Sequence, residues 1–327
     1  MRRRGTLLQP IISMVVIGLA IFGLLNRQWL IDQFTVWQFK PSAEVAAISQ
    51  SAQLTESGRF YFYASQPKLS DRDEFNATCV NHHTEAVTLG CYVNQQIYVY
   101  NIDDKRLDGI KEVTAAHEML HAAYERLPGA KREEIVSLLR AQAQSITDAD
   151  FKKRLAVYKN EPQTVQDNEL HSILATERER LTPELEAYYK QYFVDRQAVV
   201  ALFRQYETVF TDLKNTQDRL ISEINALIDQ INRDTGSYNA ESSALTADIT
   251  AFNARSEREG GFASIDEFNA ARAELVTRQQ ALAVKYQAIQ AAHDTYERKK
   301  RELDALQLQA ESIHRSLDST AQPVPAV

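Results

Sequence analysis

From Phe268 onward the chain places the same kind of residue at every seventh position: Phe268, Leu275, Leu282, Ile289, Tyr296, Leu303, Ala310 and Leu317. Eight hits in one register confine this stretch to a long helix, because only a helical period near 3.5 gathers them into one stripe. The preceding stretch repeats the spacing at Gln217, Ile224, Ile231, Tyr238, Leu245 and Phe252, with Leu213, Leu220 and Leu227 as a companion seam. The register passes Gly236 unbroken. Gly260-Gly261 marks a turn, and Ser264-Ile265-Asp266-Glu267 has the capping-box form that restarts a helix. The expectation is an antiparallel coiled-coil hairpin over residues 182–317, about 80 Å long. Its return leg has a poor companion seam, with Arg272, Gln279, His293 and Lys300 near it. That leaves room for a partner helix, so the rod reads as a docking element for an envelope protein or as a self-association surface. His293 reads as a solvated residue of the rod. Residues 318–327 form a Pro-containing tail, expected to be disordered.

The opposite end constrains location. Arg2-Arg3-Arg4 precede an apolar stretch from Leu7 to Leu25, interrupted only by Gln9, Pro10 and Ser13. Such a helix reaches roughly 28 Å, close to one hydrocarbon core. The basic residues before it place the N-terminus in the cytoplasm and the rest outside. Residues 1–27 are therefore expected to be a basic end and an uncleaved transmembrane anchor; a cleaved signal peptide is the rival reading. Trp29 and Trp37 follow, the first suited to the outer interface. Residues 28–57, rich in Gln, Ser and Ala, are expected to be a tether.

Between tether and rod lies a body of residues 58–181. Arg59-Phe60-Tyr61-Phe62-Tyr63-Ala64 reads as a strand from its aromatic content. Thr88 to Val93, a turn at Asn94-Gln95, and Gln96 to Asn101 read as a hairpin. Cys79 and Cys91 suit an exported disulfide, which closing so short a loop adds about 3 kcal/mol. His82 and His83 lie between them, a pairing that matches no common zinc-ligand spacing. The formal charge of −7 excludes a general nucleic-acid binder. With only 10 Gly and 8 Pro, the chain should be mostly helical.

The chemistry is concentrated in His117-Glu118-Met119-Leu120-His121. Residues four apart share a helix face, so His117 and His121 can offer two imidazoles to one metal ion. Glu118 points to a neighbouring face, within reach of a metal-bound water and suited to general base. The flanks Thr114-Ala115-Ala116 and Ala122-Ala123 are uncharged, as for a helix buried beneath a cleft.

This pattern resembles the zincin metallopeptidases. The resemblance implies an α+β zincin-like catalytic domain, a small sheet plus the motif helix, binding Zn2+ and hydrolysing a protein or peptide substrate. It also implies that the strand before the motif helix, here Gln96 to Ile102, is an edge strand at the upper lip of the cleft that captures extended substrate. The metzincin form is excluded, because Tyr124 and Leu127 stand where its Gly and third His belong. Asn168-Glu169-Leu170-His171-Ser172 resembles the Asn-Glu-x-x-Ser element of gluzincins, which makes Glu169 the expected third ligand. Glu177 is its competitor, about 12 Å further along the helix; His171 should face away. Tyr158, Tyr188 and Tyr189 are unranked candidates to stabilise an oxyanion. The alternative is a structural coiled-coil envelope protein whose zincin-like domain is metal-stabilised but not catalytic.

Overall fold

The computed structural model describes residues 8–79 and 88–320, so His82, His83 and most of the tail lie outside the described residues. Helices make up 77% of the chain, and it is helices that position the site. The chain divides into two compact units, Met1–Val209 together with Ile313–Val327, and Phe210–Ser312.

The first unit opens with α1 (Leu8–Leu25) and α2 (Arg27–Gln38). Among the described residues no single helix is long and apolar enough to cross a membrane, though these two, bent by 78°, together have the length and composition of one span. The expected tether is a correction: α2 and α3 (Ala43–Ser51) occupy most of it. Ser42 caps α3 through the amide of Val45, and Val45, Ile48 and Ala52 enter the core along one helix face. The aromatic run is a second correction, being helix α4 (Glu56–Ala64) rather than a strand. Thr55 caps it by accepting from the amide of Gly58, and Gly58 and Phe62, four apart, face inward. Helical phase has outweighed the β preference of the aromatics.

The sheet has the order β1-β3-β2, from β1 (Lys68–Ser70), β2 (Gly90–Val93) and β3 (Gln96–Tyr100). The expected hairpin is present: β2 and β3 are antiparallel, joined by Asn94 and Gln95 at φ 52° and 63°. However, β1 pairs parallel with β3, so β3 is central and cannot be the lip strand. The edge beside the motif helix is β2. Helix α5 (Arg72–Cys79) ends in the Cys79–Cys91 disulfide, which ties it to β2 with both cysteines fully buried.

Helix α6 (Ile110–Glu125) carries the motif through the middle of the core and packs against β2, β3, α3, α4 and α9 (Gln163–Glu177). Between α6 and α9 come α7 (Gly129–Ser145) and α8 (Ala149–Ala156); α10 (Pro183–Tyr189) follows. The expected rod boundary at 182 is corrected by α10 and by the start of α11 (Arg196–Ser256), whose Val199, Val200 and Phe203 belong to the first unit's buried core. The tail boundary also shifts: Asn76 donates to the carbonyl of Ser319 at 2.6 Å, and Ser319 is buried.

In the second unit, α11 runs through Gly236 without interruption, and α12 (Ile265–Leu317) returns after the turn at Gly260. Ser264 accepts from the amide of Glu267, as the capping box requires, while the Glu267 carboxylate accepts from Ala263. Arg278–Asp248, Lys285–Glu241 and Lys299–Glu223 link the two helices in antiparallel register. Few side chains there are buried, Leu220, Leu245, Ile289 and Ala292 among them.

Candidate metal centre

Gly109, at φ 94°, launches α6, and no Pro or Gly breaks the helix before Glu125. Four-residue spacing brings the rings of His117 and His121 to a centroid distance of 4.7 Å. Opposite them, α9 presents Glu169. Its Oε2 lies 3.5 Å from His117 Nε2 and its Oε1 lies 3.6 Å from His121 Nε2. All three ligand atoms fall within 4.8 Å of one another, so the group can hold a metal ion. A tetrahedral ion with bonds of about 2.1 Å separates its donors by roughly 3.4 Å. The two carboxylate–imidazole spacings, 3.5 and 3.6 Å, fit.

Burial sharpens this arrangement. Glu118, His121 and Glu169 are 4%, 6% and 8% exposed, a concentration of ionisable groups that a core tolerates only when it is compensated. Ser172, three residues beyond Glu169, lies with its Oγ 3.4 Å from His121 Nδ1. With Nδ1–H donating to that hydroxyl, Nε2 keeps its lone pair toward Glu169. Ser172 belongs to the Asn-Glu-x-x-Ser element, but its contact with the His121 ring is visible only in the fold.

Glu118 faces the cleft next to β2. A Cβ built on Gly90 would stand 2.4 Å from Thr114 Cγ2 and 2.9 Å from Glu118 Cγ and Oε1. Glycine thus lets the edge strand lie directly on the motif helix. A lone glycine in a strand pattern was the available signal, and it was not specific.

The rival residues separate cleanly. Glu177 lines the cleft but pairs with Arg154 at 3.2 Å and is not part of the ligand group. His171 is fully buried on the other side of α9, 2.9 Å from Tyr188 Oη and ringed by Tyr124, Tyr189 and Tyr192. Burial, with help from His121 and His117, pushes its pKa down to about 3, so it is a neutral packing group. Tyr189 donates to the carbonyl of His171, and burial raises the hydroxyls of both Tyr188 and Tyr189 far above their usual range. Of the three tyrosines considered for an oxyanion, only Tyr158 lines the cleft.

The cleft measures about 350 Å³. Leu89 and Gly90 form one wall, and Val113 and Ile173 extend the floor. The far wall comes from Arg154, Phe203 and Tyr206, residues no local pattern had marked. Arg154 lies over the Phe203 ring at 5.0 Å. Comparison with protein-family models, curated proteins and solved structures found no match to this chain, so its own chemistry must carry the functional reading.

Proposed function

We propose that the chain is a zinc-dependent metallopeptidase of gluzincin type, anchored in a membrane by its N-terminal helix with the cleft on the extracytoplasmic side. One observation carries this: His117, His121 and Glu169, the last 48 positions after His121, converge on one point beside Glu118. When bound, zinc supplies Lewis acidity at the scissile carbonyl and lowers the pKa of a water. His117, His121 and Glu169 hold the ion, and Ser172 fixes the His121 ring. Glu118 takes the water's proton and returns it to the leaving amine. Of the tyrosines considered for the oxyanion, Tyr158 is the choice supported by its place in the cleft lining. Among the described residues β2 pairs on one side only, with β3, so an extended peptide can add to its other edge above Glu118.

The test is Glu118→Gln beside His117→Ala. Glu118→Gln should retain zinc and fold while losing hydrolysis of a casein or peptide-library substrate by about 10²–10⁴-fold. His117→Ala should lose the metal. A Glu118→Gln protein as active as the parent, or a parent purified with no bound metal and no zinc uptake, would end this reading. The 61- and 53-residue helices favour a second one, a structural coiled-coil envelope protein with a metal-stabilised, non-catalytic domain. It expects Glu118→Gln to leave the cellular phenotype unchanged.

A further inference from the structure

Helix α2 has two faces with different fates. Inward, Asp32 is buried and takes a two-pronged bond from Arg126 at the end of the motif helix, 2.9 Å on each arm. Arg126 also donates to Tyr92 of β2 at 2.8 Å, and Gln28 reaches Gln95 of the hairpin turn at 3.2 Å. Outward, Trp29, Leu30, Phe34 and Trp37 stand 50%, 40%, 57% and 79% exposed. At 100° per residue these four fall within one arc of the helix. That arc carries no acid; Gln33 sits inside it and Arg27 at its margin. A soluble surface rarely shows such a patch without an occupant.

The occupant is indicated by what adjoins the patch. Only Asn26 separates it from α1, where Ile12, Val15, Val16, Ile17, Leu19, Phe22 and Leu25 are all more than half exposed. A helix apolar on every side belongs in hydrocarbon. The chain then bends by 78° into α2. Aromatic rings on one face, uncharged residues beside them and a basic residue at the edge are the composition of a helix lying in the headgroup layer.

We propose that α2 is an interfacial helix: Trp29, Phe34 and Trp37 rest in the headgroup region of a lipid bilayer while Asp32 clamps the opposite face to the motif helix. The ligand is a lipid surface, and the cleft-bearing unit is held to it by a rigid joint in place of a flexible stem. This rests on the membrane anchoring proposed above and is independent of the hydrolytic chemistry.

Trp29 and Trp37 are the chain's only tryptophans, so fluorescence excited selectively at tryptophan reports this face alone. The experiment reconstitutes full-length Trp29→Phe and Trp37→Phe proteins into phosphatidylcholine vesicles brominated either near the headgroups or near the acyl-chain ends. Both substitutions are on exposed positions and keep an aromatic ring. A helix lying flat puts the two remaining tryptophans at one depth; a continuing span separates them by about 12 Å. The expected result is a blue-shifted emission quenched about twofold by the shallow bromines in both variants, with little effect from the deep ones. Preferential deep quenching of either tryptophan would overturn the proposal in favour of a bent span. Vesicle-bound protein with water-like, unquenched emission would reject the α2 contact alone. Failure to float with vesicles would reject the anchor and the interfacial helix together, and neither result bears on Glu118.

Discussion

Two buried polar pairs decide how firmly the site is held at the level of single residues. The Asp32–Arg126 pair has side chains 5% and 7% exposed and satisfied by additional partners, so removing one charge strands the other in the core. Asp32→Asn should therefore lower unfolding free energy by about 3 kcal/mol, and adding Arg126→Met should recover most of that loss. Urea denaturation of the two variants checks it; additive losses in the double variant would mean the pair is not coupled. In the proposed metal centre, Ser172 would act on the ion without touching it. Its Oγ sits 3.4 Å from His121 Nδ1, a long bond, so Ser172→Ala should weaken zinc binding by only about tenfold, measured by chelator competition. An unchanged affinity would show that the imidazole is oriented by packing alone. The resemblance to the gluzincin element pointed to Glu169, while residue spacing alone put His171 on the far side of that helix, because two helical positions differ by about 200°. Spacing did not indicate Ser172 or Arg154, whose roles depend on rotamers and on a helix fifty positions distant.

Among elements, α6 depends on how it is launched. Gly109 holds φ 94°, and a Cβ there would stand 2.9 Å from Leu202 Cδ2 and 3.1 Å from Leu202 Cβ on α11. Just upstream, Ser316 of α12 donates to Asp104 at 3.0 Å, while Arg106 holds the Asp104 carboxyl well below the usual range. Gly109→Ala should cost about 2 kcal/mol from left-handed strain and this contact. The cost should appear as a lower urea midpoint with the metal site still occupied at saturating zinc; an unchanged midpoint would mean that α6 is not held by this turn. The elements misread from sequence failed for identifiable reasons. Arg59 to Ala64 has strand-like composition, but its cap at Thr55 and the inward pair Gly58 and Phe62 belong to a helix. From sequence β3 reads as an edge because β1, three residues long, offers no periodic signal of its own. The supposed tether contained a legible pattern, Ser42 followed by Val45, Ile48 and Ala52, that a compositional reading passed over.

For the whole molecule, the division into Met1–Val209 with Ile313–Val327 and Phe210–Ser312 sets how metal binding is coupled to stability. The seven-residue register made the second unit legible from sequence, because one stripe of side chains repeats along its entire length. The first unit was legible at its motif, its hairpin and its disulfide but not in the packing around them, because its core joins residues far apart in the chain, Val45 and Phe203 among them. Every ligand atom lies in that first unit. Zinc bound only by the folded form adds about 4 kcal/mol at a thousandfold excess over Kd. For a unit of this size that corresponds to roughly 8–16 °C in Tm. Calorimetry of the full chain should therefore show a transition that falls by this amount on chelation and returns with zinc, while the transition of Phe210–Ser312 stays in place. Glu169→Gln should remove the metal dependence at once, because the neutral amide leaves two imidazoles without the carboxylate that completes their grip. If both transitions moved together under chelator, the two units would unfold as one, and the rod would have to be counted as part of the metal-dependent fold.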